Sequence, residues 1–226
     1  MTTNFSDAEL IERFLAVQQT LCQHNQTHHA KAKLLAVSKT KPAHAIRALF
    51  LQGQQDFGEN YLQEALSKMQ LLGDLDIVWH YIGHIQRNKT KDIAAHFAWV
   101  QTLERDVIAK RLHQQRPEHL PPLNVLIQLN IDDEASKSGC QIAELDDLVA
   151  QVRHYERLCL RGLMIIPNKA GGDAFIRTKA IFDDVGARHQ LPHWDTLSMG
   201  MSGDMEQAIA HGSSMVRVGT AIFGER

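Results

Sequence analysis

Three cysteines, Cys22, Cys140 and Cys159, are all the sulfhydryl chemistry this chain has. An odd count with no CxxC spacing excludes a disulfide framework and a structural zinc site, and it fits a reducing, cytoplasmic setting. Charge of one sign is also missing. Against 26 acidic residues stand 24 basic ones, a formal net charge of -2. Such a balance supplies no field to gather nucleic acid or an anionic membrane, so neither is an expected partner. An anionic ligand would have to be held by a local site. No apolar run is long enough to span a bilayer. The opening Met1-Thr2-Thr3-Asn4-Phe5-Ser6-Asp7 has neither the basic start nor the apolar stretch of a signal peptide. No linker rich in Pro, Gly or Ser divides the chain and no internal repeat shows, so one domain over residues 1–226 is expected.

What is present is apolar residue in short, regular portions. Hydrophobic residues make up 44% of 226, and a chain of this size covers about 70% of its unfolded surface on folding. Leu10, Phe14, Val17 and Leu21 predict a helix over 7–22, capped by Ser6. The polar residues 23–29 read as a loop, and the histidines His24, His28 and His29 as a solvated linker rather than a metal site. Strands are predicted near 34–38, 56–57, 77–82, 97–102, 123–130, 158–164, 195–197 and 215–218. Helices are predicted from Pro42 to a stop at Gly53, and over 61–71, 106–114, 142–154, 174–188 and 204–211. Short apolar strands alternating with helices mean a parallel sheet. About eight units in a chain of this length predict a closed (β/α)8 TIM barrel, with an open doubly wound sheet as the alternative.

In such a barrel the chemistry lies at the C-terminal ends of the strands. Lys39, Asn60, His84 and Gln86, Lys137, Asn168, Ser198 and Ser202, and Gly219 and Thr220 all follow predicted strands. Leu35, Val37 and Lys39 share one strand face, while Pro42 biases Lys41 into the turn, so Lys39 is the better barrel-facing amine. A partly desolvated lysine loses its proton more readily and can form a Schiff base. A strand-end lysine that simply reaches water remains the other reading. The segment 198–204 is rich in glycine and serine and precedes a helix, and Gly219-Thr220 opens the C-terminal segment. Backbone N–H groups in such loops bind phosphate, and in barrels the loops after strands seven and eight often do so. Barrel closure would bring Arg217 near Lys39, where it needs an acceptor, either a carboxylate or the ring nitrogen of a bound heterocycle. His80 and His84 stand about 13 Å apart if the strand runs on; with no HExxH or acidic cluster, no metal is expected.

Several motifs together resemble the pyridoxal phosphate homeostasis proteins, single-barrel relatives of the N-terminal domain of alanine racemase. They are Ala36-Val37-Ser38-Lys39-Thr40-Lys41-Pro42, Phe57-Gly58-Glu59-Asn60-Tyr61, Trp79-His80-Tyr81-Ile82-Gly83 with Gln86 and Asn88-Lys89, Ser136-Lys137-Ser138-Gly139, Arg161-Gly162-Leu163-Met164, Leu197-Ser198-Met199-Gly200-Met201-Ser202 and Arg217-Val218-Gly219-Thr220-Ala221-Ile222-Phe223-Gly224. The resemblance implies pyridoxal 5′-phosphate (PLP) as cofactor, held by Lys39 as a Schiff base. It implies that Ser202, Gly219, Thr220 and Ser198 hold the phosphate, that Arg217 faces the pyridine nitrogen, and that Asn60 and Met164 line the ring. His84 and Arg87 depart from the family pattern, as does the loop 168–172. An arginine opposite the ring nitrogen keeps that nitrogen unprotonated and weakens the electron sink. The second acid/base and the added domain of the racemases have no counterpart here, and Tyr61, Tyr81 and Tyr155 have no evident base role. The expected function is therefore a monomeric carrier that buffers PLP and passes it to apo-enzymes. An amino-acid racemase or related enzyme is the alternative, and a lysine-dependent barrel hydrolase or aldolase without PLP a third.

Overall fold

A computed structural model describes residues 6–134, 138–168 and 173–225. The expectations attached to Ser136, Lys137 and residues 169–172 lie outside the described residues. In chain order the elements are α1 (Asp7–Thr27), β1 (Lys33–Val37), α2 (Ala43–Phe50), β2 (Asp56–Glu59), α3 (Leu62–Leu71), β3 (Val78–Tyr81), α4 (Thr90–His96), β4 (Trp99–Leu103) and α5 (Asp106–Gln115). Then follow β5 (Leu123–Gln128), α6 (Leu145–Val152), β6 (Leu158–Met164), α7 (Ala174–His189), β7 (Thr196–Ser198), α8 (Met205–Ala210), β8 (Met215–Val218) and α9 (Thr220–Phe223). The strands pair in sequence order, all parallel, and β8 closes on β1 through Lys33↔Met215 to Ala36↔Val218. That seam rules out the open sheet.

Beyond the short α9, which the sequence reading took as a C-terminal tail, two elements differ from that reading. Helix α1 does not stop at residue 22 but runs to Thr27, through most of the stretch expected as a loop. Its start is the expected one, with Glu9 N donating to Ser6 Oγ and Ser6 N donating to Glu9 Oε2. Its end is held by Asn25, whose amide bonds both the N–H and the C=O of Ala32 at 2.9 Å. The polar residues before it are tolerated because they lie on the outer side of a helix whose Leu10, Phe14 and Leu21 are buried. The second difference is α4, which the sequence reading did not contain. It buries only Thr90, Ile93 and Ala94, too few to show a period. Arg116 secures its end, donating to the carbonyls of Ala94 and Phe97.

The barrel carries one irregularity that its sequence demands. Between β5 and β6 the register slips from Val125↔Leu160 to Leu126↔Gly162, leaving Arg161 as an extra residue. Gly162 sits at φ +147, and a Cβ there would lie 1.9 Å from the Thr196 carbonyl oxygen, so only glycine fits.

The interior is not uniformly apolar. Leu35, Leu126, Met164 and Met215 are buried there beside His80, Gln101, Ser198 and Arg217. These polar side chains form one chain of hydrogen bonds. Ser198 Oγ donates to Gln101 Oε1 at 2.8 Å, Gln101 Nε2 meets His80 Nδ1 at 2.9 Å, and His80 Nε2 meets Asp56 Oδ1 at 2.8 Å. Because Gln101 donates to Nδ1, the proton of neutral His80 sits on Nε2 and points at Asp56. The Gln101–Ser198 bond joins β4 to β7, which are not neighbours, so it crosses the barrel.

Burial pushes the His80 imidazole below its ordinary 6.5, with Asp56 pulling the other way. In the fold His80 stays neutral, while in the unfolded chain it takes up a proton near its ordinary value. Its contribution to stability is therefore present above about pH 6.5 and is lost as the pH falls below it. Urea unfolding at pH 7.5 and 5.5 is expected to show a larger loss of stability across this interval in the wild type than in His80→Gln. The other titrating groups cancel in that difference, and equal losses would contradict the assignment.

Candidate functional site

A cavity of about 230 Å³ opens at the C-terminal ends of the strands, lined by Lys39, Asn60, Met164, Ser202, Arg217 and Thr220 with Val37, Ile82, Ile166, Met201 and Gly219. Seven of the eight residues expected at a site from the sequence thus meet in one place. Ser198 is the exception. Fully buried at the end of β7, it accepts from Arg217 Nη1 at 2.8 Å and donates to Gln101. Its hydroxyl is committed beneath the cavity, so Ser198 supports Arg217 rather than lining the pocket.

The seam between β8 and β1 sets the geometry. Leu35 pairs with Arg217, and the inward parity of Leu35 and Val37 carries to Lys39 just past the strand end. Gly219 follows β8 against Val37, where a Cβ would come within 3.2 Å of the Val37 carbonyl oxygen. The first N–H groups of α9 have no partner within the helix. Arg13 of α1 braces this segment from outside, donating to the carbonyls of Thr220 and Ala221 at 3.1 Å.

Arg217 carries the most unusual electrostatics. It is buried, and among the described residues its hydrogen bonds go to neutral oxygens: Ser198 O and Oγ at 2.8 Å and Ile165 O at 2.7 Å. Burial lowers its pKa to about 10, opposed by the charge of Asp204. It remains a cation at neutral pH. A guanidinium has five N–H donors, so these three bonds leave capacity for a neutral acceptor in the cavity. The carboxylate partner that the sequence left open is not among these bonds. On the other side, the Asn60 Oδ1 atom is buried and has no hydrogen-bond partner among the described residues. A pocket with a spare cationic donor and an unsatisfied amide oxygen fits a polar ring ligand.

The other strand-exit residues are placed elsewhere. His84, Gln86 and Lys89 line an adjacent depression that shares Asn60 with the cavity. Asn168 is tied back to the loop after β5, its amide nitrogen donating to Glu134 Oε1 at 2.6 Å. No group of metal-ligating side chains occurs among the described residues. A wider depression of about 840 Å³, lined by residues such as Gln18, Lys33 and Gln54, lies at the opposite end of the barrel. It is larger than the Lys39 cavity and is lined from the strand starts rather than the strand exits. Sequence reasoning missed Gln101, whose signal was a lone amide inside the apolar strand Trp99–Leu103. It also missed Ile166 and Met201, exposed side chains at the rim.

Gln101→Leu would leave a polar atom unpaired on both His80 and Ser198. It is expected to cost about 1–3 kcal/mol of unfolding free energy in urea. A cost below about 0.5 kcal/mol, the level of an ordinary surface substitution, would mean that these interior hydrogen bonds do not contribute to stability.

Comparison with known proteins adds a lineage. The profile of the family described as "Alanine racemase, N-terminal domain" matches residues 16–226. A relative from Escherichia coli (strain K12), named pyridoxal phosphate homeostasis protein, is 54% identical over 201 residues, covering 85% of each chain. The solved structure of PipY from Synechococcus elongatus, with PLP bound, is 30% identical at a TM-score of 0.84 and covers 95% of this chain and 100% of that one. Alanine racemase from Corynebacterium glutamicum shares the fold at 16% identity and a TM-score of 0.68; 92% of this chain matches 60% of that one.

Proposed function

This chain belongs to the alanine racemase N-terminal domain family, and on that footing we propose that it is a PLP-binding homeostasis protein, which holds the cofactor reversibly and releases it to apo-enzymes. Lys39 would hold PLP through its aldehyde as a Schiff base, Arg217 would face the ring nitrogen, Asn60 and Met164 would line the ring, and Ser202, Gly219 and Thr220 would hold the phosphate. Ser198 acts one step back, by holding Arg217. PLP, when bound, supplies an electron-withdrawing ring. A guanidinium that stays charged at neutral pH has no proton to give the ring nitrogen, so the site limits that withdrawal.

The observation that carries the reading is the poverty of acid/base groups around the amine. Among the described lining residues the titratable side chains are Lys39 and Arg217. Racemisation needs a second proton carrier on the opposite ring face. The tyrosines do not supply it: Tyr81 donates to the His84 carbonyl, Tyr155 to Asp106, and Tyr61 stands outside the cavity. The curated relatives are named for homeostasis of the cofactor rather than for a reaction performed with it. Residues 1–226 serve as one binding domain in this reading, acting as a monomer. Three free cysteines suit the cytoplasm, and no helix among the described residues is long and apolar enough to cross a membrane.

Borohydride reduction followed by mass mapping tests the linkage. The expected outcome is a visible absorption band that bleaches on reduction, with the added mass on Lys39, and loss of both in Lys39→Ala. An unchanged band in Lys39→Ala would overturn the assignment. Delivery is tested separately, by comparing the rate at which loaded protein and an equal concentration of free PLP activate an apo-enzyme. The loaded protein is expected to be faster, and equal rates would leave a buffer without a delivery role.

A further inference from the structure

Next to Lys39 but outside the cavity lies a cluster of charges that ligand binding does not use. Glu59, the last residue of β2, is fully buried, and Lys68 on α3 is 5% exposed. Lys68 Nζ donates to Glu59 Oε1 at 2.7 Å, to Glu64 Oε1 at 2.5 Å and to the Ser38 carbonyl oxygen at 2.8 Å. An ammonium has three donors, and each has an acceptor. Glu59 Oε1 also accepts from Ser38 Oγ at 2.6 Å, and Glu64 Oε1 accepts from Thr40 N at 2.5 Å.

These last contacts are the informative ones. The Ser38 carbonyl and the Thr40 N–H belong to the two peptide groups that flank the Cα of Lys39. One ammonium grips the first and a carboxylate bonded to that ammonium grips the second. A buried ion pair is a weak source of stability, since apolar replacements of such pairs are often neutral or stabilising. Its cost is better explained by what it holds. Thr40 adopts φ +65, a left-handed conformation that a non-glycine residue takes only when its surroundings enforce it.

We propose that Lys68, with Glu59 and Glu64, is a positioning residue: the cluster fixes both peptide groups around Lys39 and so aims its amine into the cavity. The inference rests on Lys39 being the PLP-bearing amine. Binding geometry of this kind tolerates errors of only about 0.5 Å, so loosening one peptide group impairs imine formation while leaving the phosphate and ring contacts in place.

The test uses the full chain with two probes, PLP and pyridoxamine 5′-phosphate, which has no aldehyde and reads the rest of the pocket. Glu64→Ala removes the acceptor of Thr40 N without stranding a buried charge. It is expected to weaken PLP binding about tenfold and to reduce borohydride-trapped mass on Lys39, while pyridoxamine 5′-phosphate affinity stays within about twofold. Glu64→Gln keeps the acceptor and drops the charge, so PLP binding is expected to return to within about twofold of wild type. The double variant Glu59→Leu/Lys68→Met, which removes both buried charges together, is expected to behave like Glu64→Ala. Unchanged PLP trapping in Glu64→Ala and in the double variant overturns the proposal, as does a parallel loss of both probes or a failure of Glu64→Gln to rescue. If the wild-type chain itself traps no mass on Lys39, the binding reading falls first and this inference with it.

Discussion

A guanidinium buried among neutral oxygens is the constraint around which the barrel is built. Arg217 cannot shed its proton at neutral pH, and its bonds run to Ser198 and Ile165 rather than to a carboxylate. Desolvating an unpaired charge is expensive. The interior answers with polarisable groups in series: the Ser198 hydroxyl, the Gln101 amide and the His80 imidazole, ending on Asp56 near the other mouth. Hydrogen bonds in such a chain polarise one another in a low-dielectric interior. The negative end of the series is thus a formal charge, reached through three side chains rather than by contact. A direct carboxylate partner would satisfy Arg217 more fully and would also consume the donor capacity that Arg217 keeps toward the cavity.

The site combines a braced side and an exposed one. Lys39 lies just past the end of β1 and Arg217 on the neighbouring β8, in a register set by Leu35↔Arg217, and both are backed by buried hydrogen-bonded groups. Across the cavity, Ile166 and Met201 are 46% and 41% exposed, and Ser202 is exposed beside them. Ser202 stands on a loop, while Gly219 and Thr220 are braced from outside by Arg13. In the proposed reading, a cofactor that must enter and leave meets the exposed rim, while the groups that define its orientation are hydrogen-bonded from behind. A holder differs from an enzyme in this respect, because release is part of its task rather than a side reaction.

The fold was legible because it depends on periodicity. Strand starts and the apolar faces of α2, α5 and α7 recur at spacings that local sequence reveals. The seam that closes the barrel followed from counting units. Helix α4 was not legible, since three small or short buried residues give no period and its end depends on Arg116, some twenty positions on. The polar residues 23–29 misled for the opposite reason: a helix can run out over solvent when a distant backbone, here Ala32, fastens it. Within the site, seven of the residues that face the cavity lie at or just past strand ends and were found, while the apolar Ile82, Ile166 and Met201 were missed. Those that hold the seven were not found. Ser198 was grouped with the lining because it borders a glycine-rich loop, and only the three-dimensional path of its hydroxyl shows its tie to Gln101 and Arg217. In sequence Lys68 is one helix lysine among others and Glu59 one residue of the Phe57–Tyr61 motif, and nothing local signals a partnership that spans two elements and a turn.

The choice between Lys39 and Lys41 shows how much rests on that turn. Strand parity alone would put both amines on the inner face. Pro42 argues against Lys41 but does not say where it goes. In the structure, Lys41 Nζ donates to the Glu225 carbonyl at 2.9 Å, and Lys41 is absent from the cavity lining. The switch occurs at Thr40, whose left-handed φ of 65 breaks the alternation between the two lysines. Such a conformation costs roughly 1–2 kcal/mol for an L-residue. The Glu64 carboxylate on Thr40 N is a charge-assisted bond of comparable size, about 1.5–3 kcal/mol. Selection of one amine from two therefore comes from a backbone inversion, and that inversion is held by the same carboxylate that binds Lys68. The placement of Lys39 in the cavity is in this sense a property of β2 and α3 as much as of the strand that precedes it.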